Sequence, residues 1–390
     1  MRDEMKKVPR LRFRGFQEDW ELCKLSTEFE KVNERNDGSL GKEHWISVAK
    51  MYFQNPDKVQ SNNIDTRTYV MRTGDIAFEG HPNKEFKFGR FVANDIGTGV
   101  VSELFPIYRH KQEYDNYYWK NAIQIERVMG PIFAKSITSS GNSSNKLDPN
   151  HFLRQQVFIP KLEEQKKIGL FLKKLDDTIT LHQRKLDQLK ELKKAYLQVI
   201  FPAKDERVPK LRFADFEEEW ELRKLEDLAN KYNNLRIPIT ASKRIYGNTP
   251  YYGANGIQDF VEGYTHDGEF ILVAEDGASN LKDYPVQYVN GKVWVNNHAH
   301  VLQAKRSKAD NKFLMNAIKS INIEPFLVGG GRSKLNSEVM MNLEINTPSK
   351  DEQLKISTLC KQLDDITALY QNKLNQLKNL KKSYLQNMFI

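Results

Sequence analysis

Two groups of residues have the types and spacing that catalysis needs. His298 and His300 stand two positions apart, so on a β-strand both imidazoles would point to one side and could hold a metal ion. Asp57, Glu85 and Lys87 have the composition of a nuclease site for magnesium. The sequence flags no further ligand for the histidines, and short carboxylate matches arise easily by chance. We therefore favour structural roles for both groups.

The motifs that bind phosphates and cofactors are absent from the sequence. There is no Gly-x-x-x-x-Gly-Lys-Ser/Thr loop for nucleoside triphosphates and no Gly-x-Gly-x-x-Gly loop for dinucleotides. Adjacent prolines do not occur, which excludes the Asn/Asp-Pro-Pro-aromatic motif of adenine methyltransferases. We therefore expect no catalytic site, no metal ion and no bound cofactor in this chain.

Other polar residues have side chains that can contact a nucleic acid. Arg and Lys bond guanine edges or phosphates, and Asn bonds adenine. The candidates are Lys84, Arg90, Ser140, Asn142 and Lys146 in the first half and Lys243, Arg244, Asn255, Arg332 and Lys334 in the second half. Any one of them could instead be an ordinary solvated residue. Three glycines precede Arg332 and permit close backbone approach, which favours Arg332 and Lys334 as contacts.

The positive charge of the chain is concentrated in two stretches. The net charge is +9, which suggests a polyanionic partner. Residues 160–201 carry ten basic and six acidic side chains, and residues 348–390 carry seven and four. Residues 26–159 and 226–347 are nearly neutral. If these neutral stretches bind DNA, each must do so with one basic face and an acidic opposite face.

Length and composition are those of a soluble globular protein. With 390 residues we expect two or three domains. No apolar run approaches the ~18 residues that span a membrane, and no signal peptide is evident. The two cysteines, Cys23 and Cys360, lie far apart in unlike contexts, so a disulfide or a zinc site is not expected and a reducing cytoplasm fits.

The chain contains an internal duplication, which appears as two blocks of matching residues. The first block recurs 200 positions later, and its members are Val8-Pro9, Leu11-Arg12-Phe13, Phe16, Trp20-Glu21-Leu22 and Lys24-Leu25, with Lys210 in place of Arg10. The second block recurs 188 positions later, and its members are Glu164-Gln165, Leu175-Asp176-Asp177, Leu186, Leu189-Lys190, Leu192-Lys193-Lys194 and Tyr196-Leu197-Gln198. The stretches between the blocks do not align. A repeated frame with two unlike inserts indicates a scaffold that presents two unlike binding specificities.

The duplication divides the chain into six segments. They are the leading segments 1–25 and 202–225, module 1 (26–159), module 2 (226–347), spacer helix 1 (160–201) and spacer helix 2 (348–390). Short apolar runs between turn residues predict strands in both modules, such as 74–78 and 270–274, and helices are expected near 113–126 and 130–139. We expect each module to be mixed α/β, with a polar loop such as 139–146 before its last strand.

Both spacer helices carry a heptad pattern, the signature of a coiled-coil seam. The predicted seam residues are Leu175, Ile179, Leu186, Leu189, Tyr196, Leu363, Leu374, Leu377 and Tyr384. Polar positions within the seam, such as Lys193 and Lys381, would fix its register. The helices have equal length and equivalent positions, so we favour an intrachain pair. An intermolecular coiled coil that dimerises the chain is the alternative.

The repeated blocks resemble the specificity (S) subunit of Type I restriction–modification systems. The leading segment with Leu11, Phe13, Trp20 and Leu25 looks like the one that opens each half of these subunits. The blocks Pro160…Glu164-Gln165…Leu175-Asp176-Asp177 and Pro348…Glu352-Gln353…Leu363-Asp364-Asp365 look like their conserved regions. The stretch Pro250–Gly256 with Asn297-His298-Ala299-His300 is similar to their target-recognition domains. The resemblance covers essentially the whole chain, in order and with the duplication.

The resemblance implies a fold and a set of partners. The fold would be two α/β (α+β) target-recognition domains separated by two long antiparallel coiled-coil helices, tandem duplicated and pseudo-two-fold. Each domain would read one half of a split, asymmetric target in double-stranded DNA, with the helices setting the gap. Methyltransferase (modification) subunits, expected to be two, would bring S-adenosylmethionine. Motor–nuclease (restriction) subunits would bring ATP and magnesium.

The same resemblance implies a non-catalytic chain, away from any membrane, in the bacterial or archaeal cytoplasm at the nucleoid. A rod with two protein-binding modules and no nucleic acid is the second hypothesis, which the nearly neutral modules allow. A nuclease built on Asp57, Glu85 and Lys87 is the third.

Overall fold

The computed structural model describes residues 7–60, 64, 67–140, 144–203, 205–330 and 333–390. Its contacts divide the chain into two compact units. Unit 1 comprises Met1–Gln183 and Lys373–Ile390, and unit 2 comprises Arg184–Asn372. The boundaries fall inside the two spacer helices, so each unit contains one module and parts of both helices.

Unit 1 is a mixed α/β module followed by the start of a long helix. Its strands are β1 (Glu21–Lys24), β2 (Phe29–Val32), β3 (Ile46–Ser47), β4 (Tyr52–Phe53), β5 (Thr68–Met71), β6 (Ile76–Glu79), β7 (Arg90–Ala93), β8 (Gly99–Ser102), β9 (Ile107–His110), β10 (Ile137–Ser140), β11 (Asn145–Leu147) and β12 (Gln156–Ile159). Its helices are α1 (Leu25–Glu28), α2 (Asn116–Ala122), α3 (Glu126–Ser136), α4 (Pro149–Leu153), the first part of α5 (Leu162–Ile200) and the last part of α9 (Lys350–Asn387). Four strands form an antiparallel sheet in the order β2-β9-β6-β7.

Unit 2 has the same kind of architecture. Its strands are β13 (Glu221–Lys224), β14 (Ala229–Lys231), β15 (Tyr246–Gly253), β16 (Gly256–Val261), β17 (His266–Ala274), β18 (Val286–Val295), β19 (Ala299–Ala304), β20 (Leu327–Val328), β21 (Lys334–Leu335) and β22 (Glu344–Thr347). Its helices are the last part of α5, α6 (Leu225–Leu228), α7 (Asn311–Ser320), α8 (Ser337–Met341) and the first part of α9. Six strands form a sheet in the order β14-β19-β17-β18-β15-β16.

The two modules share one sheet topology although their sequences do not align. The order β14-β19-β17-β18 repeats the order β2-β9-β6-β7, and all these neighbours are antiparallel. Module 2 adds the hairpin β15–β16 beyond β18, whereas module 1 inserts β3, β4, β5 and β8. The modules are therefore also duplicated, but the duplication is visible in their fold and not in their sequences. Different apolar side chains can fill equivalent sheet positions, so the sequence match is lost while the topology is kept.

A pair of facing glycines bends the long ribbon of module 2. Gly268 on β17 lies opposite Gly291 on β18, with φ of +136° and +89°. Side chains rarely tolerate such values, so glycine permits the bend at this point. Beyond the bend, Val295 at the end of β18 pairs with Tyr252. Residues 296–298 then come to lie beside the end of β17, where Glu275 N–H bonds the carbonyl of His298 at 2.8 Å.

In each unit the leading segment pairs with the strand that precedes the long helix. Strand β1 pairs with β12, with Glu21 opposite Ile159, and β13 pairs with β22, with Glu221 opposite Thr347. This pairing brings the first and last strands of each module together, and the long helix begins directly after the last strand. The repeated leading segment is therefore part of the frame of each unit.

The spacer helices pack against each other within the chain. In unit 1 the ring of Phe171 meets that of Tyr384 at 4.7 Å, and Lys381 forms an ion pair with Asp176 at 2.7 Å. The order of these contacts makes α5 and α9 antiparallel. In unit 2 Lys193 of α5 forms the equivalent ion pair with Asp364 of α9. The predicted antiparallel intrachain pair is confirmed.

The predicted seam residues lie on the inner faces of these helices. Leu175, Leu186, Leu189 and Leu374 are buried, and the half-buried members are Ile179, Tyr196, Leu363, Leu377 and Tyr384. Burial of this kind is what a heptad seam requires of its a and d positions.

A phenylalanine at the end of one long helix completes the aromatic core of each unit. In unit 1 the ring of Phe389 stacks on Tyr118 at 5.5 Å and meets Trp20 edge-on at 6.5 Å. In unit 2 Phe201 meets Trp220 at 6.0 Å. Both phenylalanines are buried.

Gly169 in α5 should be intolerant of alanine, although alanine favours helices by about 1 kcal/mol. A Cβ at position 169 would lie 1.9 Å from Asp115 Oδ1 and 2.9 Å from the backbone nitrogen of Tyr118. Backbone cannot move as easily as a side-chain tip, so we expect Gly169→Ala to destabilise unit 1 by about 1–3 kcal/mol. Chemical denaturation measures the change, with the exposed Thr180→Ala as control. Equal or greater stability of Gly169→Ala would contradict the packing described.

Candidate nucleic-acid interface

A buried carboxylate joins the leading segment to the start of each long helix. Arg12 donates two hydrogen bonds to Glu164, at 2.7 and 2.8 Å, and Arg212 donates two to Glu352, at 2.8 and 2.9 Å. Both glutamates have side chains that are only 1% exposed. Bidentate pairs removed from water hold a fixed geometry. These pairs explain why Arg12 and Glu164 belong to the repeated blocks.

The adjacent glutamine ties each module to its own helix. Gln165 Oε1 accepts a hydrogen bond from Asp115 N–H at 3.4 Å, and Gln353 Oε1 accepts one from Asp310 N–H at 3.0 Å. Asp115 and Asp310 in turn cap α2 and α7 through their side chains. The two repeated residues Glu and Gln thus connect leading segment, module and helix in each unit.

Four loops of unit 2 meet at one end of its sheet, and we call them loop cluster 2. They are residues 253–258, 275–279, 296–298 and 333–334. The carbonyl of Tyr252 accepts from Asn296 N–H at 3.1 Å, and the carbonyl of Glu275 accepts from Leu335 N–H at 2.7 Å. The bend of the β17–β18 ribbon is what brings 296–298 into this cluster.

Glu275 of loop cluster 2 is surrounded by basic side chains, of which Lys334 belongs to the cluster while Arg236 and His300 lie beside it. Its carboxylate accepts from Arg236 at 2.6 Å and from Lys334 at 2.9 Å, and His300 Nδ1 lies 3.3 Å away. Burial opposes ionisation of Glu275, but the hydrogen bonds from Arg236 and Lys334 outweigh it and lower its pKa. Lys334 keeps 48% of its side chain exposed. A fixed, accessible ammonium group of this kind suits a phosphate or a guanine edge.

Asn255 holds two loops of the cluster together. Its amide donates to the carbonyl of Gly277 at 2.9 Å, and its oxygen accepts from Ser279 N–H at 2.8 Å. His298 forms a neighbouring link, since its Nδ1 lies 2.6 Å from Asp276 Oδ1. We predicted Asn255 as a base contact; its amide is engaged inside the protein, so in this structure it positions the loop 277–279.

In unit 1 two loops meet at the equivalent end of the sheet, and we call them loop cluster 1. They are residues 80–87, after β6, and 144–146, in the hairpin β10–β11. Asn145 N–H bonds the carbonyl of Gly80 at 2.8 Å, and a Cβ on Gly80 would lie 2.2 Å from the carbonyl oxygen of Asn145. Lys84 and Lys146 are both exposed here. The stretch 139–146 was predicted as a loop, and the pairing of β10 with β11 corrects this.

The remaining residues that were predicted to contact DNA lie in different parts of the two modules. Arg90 donates to the carbonyl of Ala49 at 2.5 Å, and the guanidinium of Arg244 lies 4.2 Å from the ring centre of Tyr251. Both arginines therefore have structural partners, whereas Lys243 is exposed in a short turn. Asn142, Arg332 and the side chain of Ser140 lie outside the described residues. Contact of any of these residues with DNA stays a prediction.

Several polar residues in or beside loop cluster 2 were not among the DNA contacts predicted from the sequence. Gln258 and Asn297 are exposed amides, and Glu275 and Arg236 form the ion pair described above. One signal was available, because Glu275-Asp276-Gly277 directly follows the predicted strand 270–274 and marks a turn at a sheet end. Nothing in the sequence shows that Gln258 approaches this turn.

The catalytic candidates have ordinary surroundings. His300 is buried and its Nε2 lies 2.9 Å from the carbonyl of Leu335. Asp57 and Glu85 are exposed in separate loops. Across the described residues, no group of three or more His, Cys, Asp or Glu side chains is placed to hold a metal ion. No helix in the described ranges has the length and apolar character of a membrane span.

The stability of unit 1 should fall as the pH drops below about 6.5, the ordinary pKa of an imidazole. His110 stacks on Tyr114 with ring centres 3.8 Å apart, and burial lowers its pKa to about 3. The unfolded chain therefore takes up the proton first. The stability is fully present above pH 6.5 and is lost toward pH 3, at up to about 1.4 kcal/mol per pH unit.

Urea denaturation of the full chain between pH 8 and pH 5 measures this loss. His110→Phe keeps an aromatic ring at the site and should reduce the slope of stability against pH. His151→Gln, which replaces an exposed histidine of the same unit, is the matched control. An unchanged slope in His110→Phe would show that another group causes the acid sensitivity.

Comparison with known proteins places this geometry in one family. The profile described as "Type I restriction modification DNA specificity domain" matches residues 91–191 and 217–379. A putative type I restriction enzyme specificity subunit of Haemophilus influenzae is 46% identical over 153 residues, which is 39% of this chain and 38% of that protein. The putative MjaX specificity subunit of Methanocaldococcus jannaschii is 20% identical over 94% of this chain and 92% of its own length.

The crystal structure of the S subunit of a Type I system from M. genitalium has the same fold. Its TM-score is 0.66 at 14% identity, and the match covers 98% of this chain and 99% of that one. The two-module fold with long antiparallel helices defines a class of DNA-specificity proteins. Because the family profile matches more than half of the residues, the chain belongs to the Type I restriction–modification DNA specificity family.

Proposed function

We propose that this chain is the DNA-specificity subunit of a Type I restriction–modification complex, with each module reading one half of a split, asymmetric target. The observation that carries the proposal is the duplicated frame, which holds two modules of one sheet topology with unlike loops. Loop cluster 1 presents Lys84 and Lys146, whereas loop cluster 2 presents amides and Lys334. Two unlike readers on equivalent frames suit a target whose halves differ.

Partner subunits would carry out methylation and cleavage at the DNA target that this chain recognises. Methyltransferase subunits would supply S-adenosylmethionine and methylate adenine, and restriction subunits would supply ATP, magnesium and cleavage. The chain itself would be non-catalytic and would act on DNA in the cytoplasm, at the nucleoid. The basic residues of the spacer helices would add affinity that falls with salt.

Exposed leucines on the helices support docking of two copies of one partner. In unit 1 Leu181 is 63% exposed and Leu380 is 44% exposed. In unit 2 Leu369 is 65% exposed and Leu192 is 45% exposed. Leu369 is the equivalent of Leu181 in the repeat, and Leu380 is the equivalent of Leu192, each 188 positions later. Each unit therefore contains one leucine from each equivalent pair. A single exposed leucine is ordinary. It is the recurrence of these leucines at repeated positions that we take to mark a protein contact, and two equivalent sets suit two modification subunits.

A map of the methylated sites in a genome tests the proposed recognition of a DNA target. The chain is expressed with its methyltransferase subunit in a methylation-free host, and N6-methyladenine is mapped by single-molecule sequencing. We expect a split, asymmetric motif, and exchange of residues 26–159 for those of another family member should change one half only. No motif from a complex that assembles and binds S-adenosylmethionine would overturn the proposal. A two-module protein-interaction rod would then be favoured, provided the chain also shows no salt-sensitive retention on DNA.

The docking proposal has its own measurement. Leu369→Glu should lower the number of methyltransferase subunits per chain, measured by native mass spectrometry of the co-expressed complex. Gln362→Glu, at an exposed polar position of the same helix, is the control for added charge. Unchanged stoichiometry in Leu369→Glu and in the double variant with Leu192→Glu would place the methyltransferase elsewhere.

A further inference from the structure

The hairpin turn between β15 and β16 brings amide side chains together at loop cluster 2. Gly253 ends β15, next to the pairing of Tyr252 with Val295. A Cβ on Gly253 would lie 2.1 Å from Gln258 Nε2 and 3.3 Å from Asn296 Nδ2. The absence of a side chain at position 253 is therefore what lets these two amides approach the turn.

The amides of this site divide into engaged and available groups. Asn255 uses both ends of its amide to hold 277–279, and buried Asn296 accepts from His298 N–H at 2.8 Å. Gln258 and Asn297 are exposed, and within the described ranges neither side chain has a hydrogen-bond partner. Two free amides thus stand beside two that are fixed.

The surroundings of the free amides are held in place. The loop 275–279 is tied by Asn255 from one side and by the His298–Asp276 contact from the other. Arg236 bonds the carbonyls of residues 297 and 299 at 3.4 and 2.9 Å, which fixes the backbone that carries Asn297. Because the backbone is already fixed, binding has to order only the two side chains and not the loops that carry them.

We infer that Gln258 and Asn297 read adenine in the half-target of module 2. A glutamine or asparagine amide matches the N6 donor and N7 acceptor of adenine in the major groove, and no other base offers that pair. The inference rests on the proposed function, since it names the readers within the module. The neighbouring Lys334, also exposed, would supply a phosphate or guanine contact.

The test uses the methylome of the co-expressed complex. Gln258→Ala should make one A·T position of the module 2 half-site degenerate, with discrimination falling about ten- to a hundredfold. Asn297→Ala should do the same at a different position. Asn290→Ala, at an exposed amide opposite Glu269 on the same sheet, should leave the motif unchanged.

Two further variants keep the test decisive if an alanine variant fails to assemble. Gln258→Glu keeps the size of the side chain but accepts only, so the affected position should shift from adenine toward cytosine, whose N4 donates. Gly253→Ala keeps Gln258 but displaces its amide, and should weaken the same position. Unchanged motifs in Gln258→Ala and Asn297→Ala would overturn the inference. A wild-type complex that methylates no motif would instead overturn the proposed function.

Discussion

Replacing Glu164 by alanine should lower the free energy of unfolding of unit 1 by about 3–5 kcal/mol, because it leaves a paired arginine without its partner inside the protein. Arg12 is 15% exposed and gives both its hydrogen bonds to this carboxylate. The indole N–H of Trp20 also donates to Glu164, at 3.2 Å. One substitution thus removes three hydrogen bonds, two of them charged.

Amide hydrogen exchange of the full chain measures this effect separately for each unit. Glu164→Ala should speed exchange in unit 1 and leave unit 2 protected. Asp177→Ala is the control on the same helix, because its pair with Lys173 has side chains 65% and 38% exposed and exposed pairs contribute at most about 1 kcal/mol. If both variants lose the same protection, the buried pair does not hold the frame.

Replacing Phe389 by alanine should also destabilise unit 1 by about 3–5 kcal/mol, the usual cost of emptying a buried phenylalanine site. Phe389 is 4% exposed and contacts the rings of Trp20 and Tyr118. The carbonyl of Phe389 also accepts a hydrogen bond from Arg127 at 2.6 Å, which the variant can keep. The loss is therefore one of core packing.

The equivalent substitution in unit 2 provides the matched control. Phe201 is 5% exposed and packs on Trp220 and Phe313. Phe201→Ala should speed exchange in unit 2, and Phe389→Ala should speed it in unit 1. Loss of protection across both units in either variant would contradict the division of the chain into two cores.

The frame could be predicted from the sequence because its residues occur twice. Arg12 and Glu164 recur at constant offsets, and the heptad spacing of residues such as Leu186 and Leu374 shows which helix faces are buried. The modules were predicted only as mixed α/β. Their common strand order depends on pairing between distant strands, and unlike apolar residues can satisfy the same pairing.

The loop clusters could be predicted only in part. Lys84, Lys146 and Lys334 were chosen as exposed basic residues, and the structure places them at the equivalent end of each sheet. The contacts that engage Asn255 come from residues more than twenty positions away, so local sequence could not reveal them. Gln258 was missed because the pairing of β15 with β16 shifts register beside it, between Tyr251 and Tyr252, and the local sequence does not reveal that shift.

The discontinuous make-up of unit 1 has a consequence for synthesis on the ribosome. Unit 2 is one uninterrupted stretch, Arg184–Asn372, so it can fold as soon as that stretch has emerged. Unit 1 is translated first but lacks Lys373–Ile390, and its aromatic core stays open until Phe389 arrives. A chain that stalls or is clipped between Asn372 and Phe389 would hold a folded unit 2 and an unfinished unit 1. Its exposed Trp20 and Tyr118 would mark it for proteolysis, so products with a single working module would be removed.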